Sequence, residues 1–222
     1  MRIRIVFMTL FGFVLEIILI CVCCYLAHPL SCRNLAEMMA ERSVQVDHSN
    51  IYRWVQKFAL KLEAAYRRSG SKRSVGKSWR MDETYVKVNG QWKYLYRAVD
   101  KAGQSVDFLL TAHRDKKAAL RLLRNAQRQQ GLPDKVTIDK SGANTAALEA
   151  LQEEGGAAIE IGQNKYRNNI VEQDHRAAKR VVRPMLGFKS FRSAWCALVG
   201  VTACRRLPCW STWPRITRND VI

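Results

Sequence analysis

The chain has 222 residues, 48% of them hydrophobic and 25% charged, a globular balance that excludes a disordered tail, a collagen-like repeat and a small disulfide-stapled fold. Its formal charge of +18 points to a polyanionic partner, nucleic acid or an anionic membrane face. The charge is uneven: residues 29–80 carry +7 and residues 173–222 carry +8, whereas residues 81–172, with 14 basic and 12 acidic side chains, carry only +2. A carboxylate-rich middle between basic flanks fits a chain that grips phosphates with its ends and holds metal in its centre.

Residues 5–27 form an apolar run whose length suits a transmembrane helix or a signal peptide. Glu16 in its middle costs about 2.5–3.5 kcal/mol in a bilayer. Tyr25, two places before Ala27, spoils a signal-peptidase site. The preferred reading is a very apolar first helix packed on its neighbours, with no stable membrane association; anchoring through residues 5–27 is the lesser alternative. The seven cysteines, at 21, 23, 24, 32, 196, 204 and 209, are odd in number and lack a zinc-ligand set, so they read as reduced core thiols of a cytoplasmic protein.

Residues 34–42 have helical apolar spacing at Leu35, Met38 and Met39. Asp47 or Ser49 then caps a longer helix over 50–68, with Ile51, Trp54, Val55, Phe58 and Leu62 on one face and Arg53, Lys57 and Lys61 among its cations. Two helices with a short turn and a basic second helix have the layout of a helix-turn-helix, in which Arg53 and Lys57 are the candidate DNA contacts. Many helical hairpins share that layout and bind nothing. Residues 69–78 (SGSKRSVGKS) form a basic linker.

From residue 79 the periodicity changes. Strands are expected over 79–88 and 91–99, joined by the hairpin signal Asn89-Gly90, and over 105–112. A helix over 115–130, a strand over 134–139, a helix over 143–154, a strand over 157–161 and a helix from Asn168 to about Arg183 follow. The order β-β-β-α-β-α-β-α is α/β, the order of the ribonuclease H-like fold, here preceded by an all-α helix-turn-helix region. The expected parts are residues 1–68, the linker 69–78, a catalytic core over 79–192 and a divergent basic tail over 193–222.

Three carboxylates stand out. Asp82 lies inside the first strand, where a charge is costly; Asp139 ends the fourth; Glu172 opens the last helix. Acids gathered at strand ends repel one another unless a hard cation neutralises them, and two Mg²⁺ ions in such a site serve an in-line displacement at phosphorus. The plainer alternative is capping or surface acids, strongest for Glu172 taken alone. His175, Arg176 and Lys179 follow Glu172 at helical spacing, a face suited to a metal ligand beside cations for a DNA backbone, or to a salt-bridged solvent face.

The segments WRMDETYVKVNGQWKYLYRAVDKAGQSVDFLLTAHRD, KVTIDKSGAN and QNKYRNNIVEQDHRAAKRVVRPMLGFKSF closely resemble the DDE transposases of bacterial insertion sequences, specifically the IS-six family. PLSCRNLAEMMAERSVQVDHSNIYRWVQKFA resembles that family's helix-turn-helix, so the resemblance spans residues 29–192. It implies binding to terminal inverted repeats, 3′-end cleavage and strand transfer into target DNA. It also implies dependence on two Mg²⁺ ions, with Mn²⁺ as a substitute, and at least a homodimer in the synaptic complex. It places the catalytic, metal-holding acids at Asp82, Asp139 and Glu172, and the family's basic residue at Lys179. Both ends depart from the pattern: residues 1–28 are unusually apolar, and Pro208 and Pro214 interrupt the tail. The alternative reading is therefore an impaired copy that only binds DNA.

Overall fold

The computed structural model describes the backbone of residues 2–68, 75–139, 142–155, 159–163 and 169–206, and the side chains of 14–65, 75–139, 142–153, 159–163 and 169–204. Most of the expected linker, Cys209 and the two tail prolines lie outside the described residues. The chain divides into two compact units, one of residues 1–71 with 180–222 and one of residues 72–179.

The first unit is helical. Its described elements are α1 (Arg2–Ala27), α2 (Cys32–Ala40), α3 (His48–Arg68) and α7 (Phe191–Arg206). Ser31 caps α2: its Oγ accepts the Asn34 N–H at 3.1 Å, while the Asn34 side chain accepts the Ser31 N–H at 3.0 Å, a reciprocal box that fixes the entry angle. Of the two expected caps for α3, Asp47 performs the role, its carboxylate accepting the Ser49 N–H at 2.7 Å. The apolar face of α3, including Ile51, Val55, Phe58 and Leu62, packs with Leu35 and Met39 of α2 and with Cys21–Leu26 of α1. Trp54 is only partly buried at the edge of this core.

Residues 191–206 include the start of the expected tail over 193–222. They form a helix whose Ala194, Cys196, Ala197, Leu198 and Val201 are buried, and they group with the N-terminal helices. Ser190 and Ser193 cap it by exchanging backbone N–H bonds at 3.1 Å. Gly200 is required there: a Cβ would fall 2.6 Å from Leu26 Cδ1, so the missing side chain lets α1 and α7 approach closely. The six described cysteines are all free thiols. Burial pushes Cys21 up to about 11 and Cys204 up to about 12, so both stay neutral and unreactive at physiological pH. Among the described residues no helix is long and apolar enough to cross a membrane; in α1 the described side chains begin at Val14.

The second unit is built on a five-stranded sheet. Its elements are β1 (Ser78–Val88), β2 (Gln91–Asp100), β3 (Ser105–Thr111), α4 (Lys116–Gln130), β4 (Lys135–Ile138), α5 (Gly142–Gly155), β5 (Glu160–Gln163) and α6 (Asn169–Val182), the last running into the first unit. Sheet order is β3-β2-β1-β4-β5, with β1, β2 and β3 antiparallel and β4 and β5 parallel to β1. That order, with its alternating helices, is the ribonuclease H-like arrangement expected from the sequence.

Local chemistry explains the turns. Asn89 and Gly90 both have positive φ, 48° and 75°, as a two-residue hairpin requires. The buried Asp100 closes the next turn by accepting the N–H groups of Ala102 and Gln104, and it also holds Gly76. Asp115 caps α4 through the Ala118 N–H at 2.7 Å. Leu122, Leu123 and Ala126 of α4 and Ala147, Leu148 and Leu151 of α5 pack with Trp79, Met81, Tyr96 and Ala98 of the sheet. The fifth strand lies later than the expected 157–161, because its parallel register with β4 runs from Lys135 opposite Glu160 to Ile138 opposite Gln163.

Candidate active site

Register alone brings two acids together. Trp79 and Arg80 of β1 lie opposite Val136 and Thr137 of the parallel β4, and the same offset two residues on puts Asp82 beside Asp139 at the carboxyl end of β4. Ligand sites in open α/β sheets form at such ends. Carboxylate oxygens of Asp82, Glu83 and Asp139 all lie within 4.8 Å of one another, and each residue is partly exposed.

The surrounding groups are placed by helices on either side. Asn144, in the first turns of α5 and fully buried, donates through Nδ2 to Glu83 Oε2 at 3.1 Å and to Asp139 Oδ1 at 3.4 Å. Arg114, just before the α4 cap, is ion-paired with Glu83. On β2, Arg97 sits opposite Asp82 and makes a buried ion pair with Asp174 of α6. One residue on, His175 Nδ1 lies 3.9 Å from Asp82 Oδ2.

The electrostatics follow from crowding. Burial pushes the Asp82 carboxyl up to about 6; the Glu83 N–H bond opposes this, and the charges of Glu83, Asp139 and Glu172 add to it. Burial, with Arg97 adding to it, pulls His175 down to about 4, so its imidazole is neutral at pH 7 and its 3.9 Å approach to Asp82 is a contact rather than an ion pair. A carboxyl raised by burial and by neighbouring like charges marks a site short of cation charge. Its all-oxygen donors are those a hard divalent ion takes, so the residues fit Mg²⁺.

The expected residues separate into three groups. Asp82 and Asp139 are in the cluster. Glu172 lies outside the group within 4.8 Å but near enough to act on Asp82, and it is half exposed and paired with Arg176 at 3.6 Å. Arg176 and Lys179 are exposed on α6, but His175 is 6% exposed and does not share their outward face. At about 100° per residue His175 and Arg176 diverge on the helix, and His175 falls on the buried stripe of Val171, Asp174 and Ala178. Arg53 and Lys57 are exposed on α3, in the other unit.

Residues 76–208 match a DDE domain family of the IS240 transposase type. The chain is 36% identical over 165 residues to the transposase for insertion sequence-like element IS431mec of Staphylococcus aureus strain Mu50, covering 74% of this chain and 73% of that one. The transposase for element IS257 in transposon Tn4003, also from Staphylococcus aureus, matches with the same identity and coverage.

The chain belongs to the IS-six family of DDE transposases.

Solved structures to which the transposase is similar include the catalytic core domain of HTLV-2 integrase in complex with magnesium, with TM-score 0.42, 16% identity and coverage of 50% of this chain and 73% of that one. Another is the Mos1 transposase catalytic domain, with TM-score 0.33, 15% identity and coverage of 76% and 95%.

Glu83, Asn144, Arg114 and the Arg97–Asp174 pair escaped the sequence reading of this transposase. Arg97 carried a signal of the same kind as Asp82, a charge within the otherwise apolar strand run LYRAV. Glu83, adjacent to Asp82, reads as the solvent-facing half of a strand alternation, and nothing local marks Asn144 or Arg114.

Proposed function

We propose that this transposase binds the terminal inverted repeats of its insertion sequence, cleaves at their 3′ ends and transfers those ends into target DNA. The observation that carries the reading is the convergence of Asp82, inside β1, with Asp139 at the carboxyl end of β4, Asp82 being raised by burial and then by its acidic neighbours. Asp82, Asp139 and Glu172 are the residues that would hold metal. Two Mg²⁺ ions, for which Mn²⁺ can substitute, would supply charge neutralisation and Lewis acidity for an in-line displacement at phosphorus.

The chain's own groups do the rest. Asn144 and Arg114 hold Glu83, and Asn144 also donates to Asp139. His175, neutral and buried against Asp82, sets the position of that carboxylate rather than contacting DNA. Arg176 and Lys179 project from α6 to hold backbone phosphates beside the site. Arg53 and Lys57, one helical turn apart on α3, contact the repeat DNA. In the first step water displaces the flanking strand at an element end and frees a 3′-OH. In the second, that 3′-OH forms a new bond to a target phosphorus as the target's own P–O3′ bond breaks. Both element ends are joined in one complex, so the active species is at least a homodimer.

A joining assay tests this. Purified protein, a labelled terminal-repeat duplex and supercoiled target should give joined product with Mg²⁺ and none with EDTA. Repeat binding with no joined product in Mg²⁺ would leave a DNA-binding protein alone and would overturn the catalytic reading.

A further inference from the structure

Beyond the acidic cluster, one sheet face continues outward with an unusual composition. On the face of β1 that carries Glu83, the register pairs Glu83 with Tyr96, Tyr85 with Tyr94 and Lys87 with Trp92. Toward the middle of the sheet this face is covered: Met81, Tyr96 and Ala98 are buried and pack with α4 and α5. Toward the hairpin it is open. Trp92 is 64% exposed and Tyr85 47% exposed, and Lys87 is exposed with them. The Tyr85 and Tyr94 rings pack 5.2 Å apart at a 52° tilt, which stiffens the strip.

Three properties choose the occupant. First, the strip is aromatic and cationic: Lys87 lies on it, and its inner end is the Arg114–Glu83 pair, where the guanidinium is still 39% exposed. That combination suits a partner with flat π faces and phosphates. Second, its inner end reaches the acidic cluster through Glu83, whose carboxylate lies within 4.8 Å of those of Asp82 and Asp139. Side chains two apart on a strand are separated by about 7 Å, so Tyr85 stands about 7 Å and Lys87 about 14 Å from Glu83 along β1. Third, it is small. Two largely exposed rings of about 150–250 Å² each, when whole, fall short of the roughly 800 Å² a side that a stable dimer buries.

We propose that Tyr85, Tyr94 and Trp92 form a stacking platform for unpaired DNA bases a few nucleotides from the scissile phosphate, with Lys87 on the adjoining backbone. The proposal rests on the strand-transfer reading and specifies the DNA state it acts on. Opening the pairs beside an element end exposes base π faces, and the platform holds them whatever their sequence, because every base has such a face. Trp92, at the hairpin and farthest from the buried part of the strip, is the main stacking ring.

The test uses the full chain in EDTA at about 150 mM salt, so that only binding is read. The probes are a fluorescent DNA hairpin with a blunt end and the same hairpin with a four-thymidine 3′ overhang. The overhang should tighten binding by about tenfold. Trp92→Ala should remove most of that gain while leaving blunt-end binding unchanged, and Trp92→Tyr should keep most of it. Because Trp92 is exposed, its replacement should not disturb folding, which the unchanged blunt-end affinity checks. No overhang gain in the wild type, an equal loss on both probes in Trp92→Ala, or a change in sedimentation of Trp92→Ala without DNA would each overturn the platform. The last would make the strip a contact between copies. Joined product with no overhang preference would sink the platform alone; overhang preference with no joined product would sink the strand-transfer reading alone.

Discussion

Asp82 is partly buried in a strand, beside two other carboxyls and within reach of a fourth, and each factor raises the cost of its charge. Its folded value near 6 lies above the ordinary 3.8. The sign follows: relative to the unfolded chain, this group favours folding fully below pH 3.8, and that contribution is lost as pH rises through about 6. At neutral pH the metal-free protein therefore carries a penalty of up to about 3 kcal/mol at this one group. A divalent ion bound there would relieve it. His175 acts in the opposite direction, since its folded value near 4 lies below the ordinary 6.5 and its contribution is lost as pH falls across that range. The clean measurement is thus a difference: melting of wild type and Asp82→Asn, with and without Mg²⁺, at pH 5 and 7.5. Mg²⁺ should raise the wild-type Tm more at pH 7.5 than at pH 5, and metal-free Asp82→Asn should melt above the wild type at pH 7.5. Equal Mg²⁺ stabilisation at both pH values would contradict a raised Asp82.

At the scale of elements, the position of α6 against the sheet decides where Glu172, Arg176 and Lys179 stand. The buried Arg97–Asp174 pair ties α6 to β2, directly across from Asp82. Removing one partner strands the other charge, at about 3–5 kcal/mol, whereas replacing both with apolar residues is far milder. Asp174→Leu and Arg97→Met should each lower stability by that order in urea unfolding, and the double variant should recover most of it; additive losses would show that the pair does not couple. Here the sequence is partly legible. The element order, the Asn89-Gly90 turn and the placement of Asp82 and Asp139 follow from strand periodicity, turn chemistry and the cost of a charge in a strand. The burial of His175 does not, because helical spacing gives neighbours on one helix without showing which edge meets the sheet. Nor does the grouping of α7 with α1, which the close approach of Gly200 and Leu26 shows. Glu83 is hidden by its proximity to Asp82, and Asn144 is legible only once β1 and the end of β4 are brought together.

At the scale of the whole molecule, the charge that is split between two flanks in the sequence is gathered by the fold. The helical unit, residues 1–71 with 180–222, holds 17 basic against 6 acidic residues, and the sheet unit 20 against 13. Both are therefore cationic. Each Lys or Arg that neutralises a phosphate adds about one to the steepness of the salt dependence of binding. Lys179→Ala should reduce that slope by about one on repeat DNA, and an unchanged slope would return Lys179 to a solvated face. The central claim, that Asp82 belongs to the machinery of strand transfer rather than to DNA recognition, is tested most directly by the joining assay on Asp82→Asn. The repeat DNA should be at saturating protein, with occupancy measured in the same tubes. The account predicts wild-type occupancy with no joined product in Mg²⁺; joined product at the wild-type level from Asp82→Asn would contradict it.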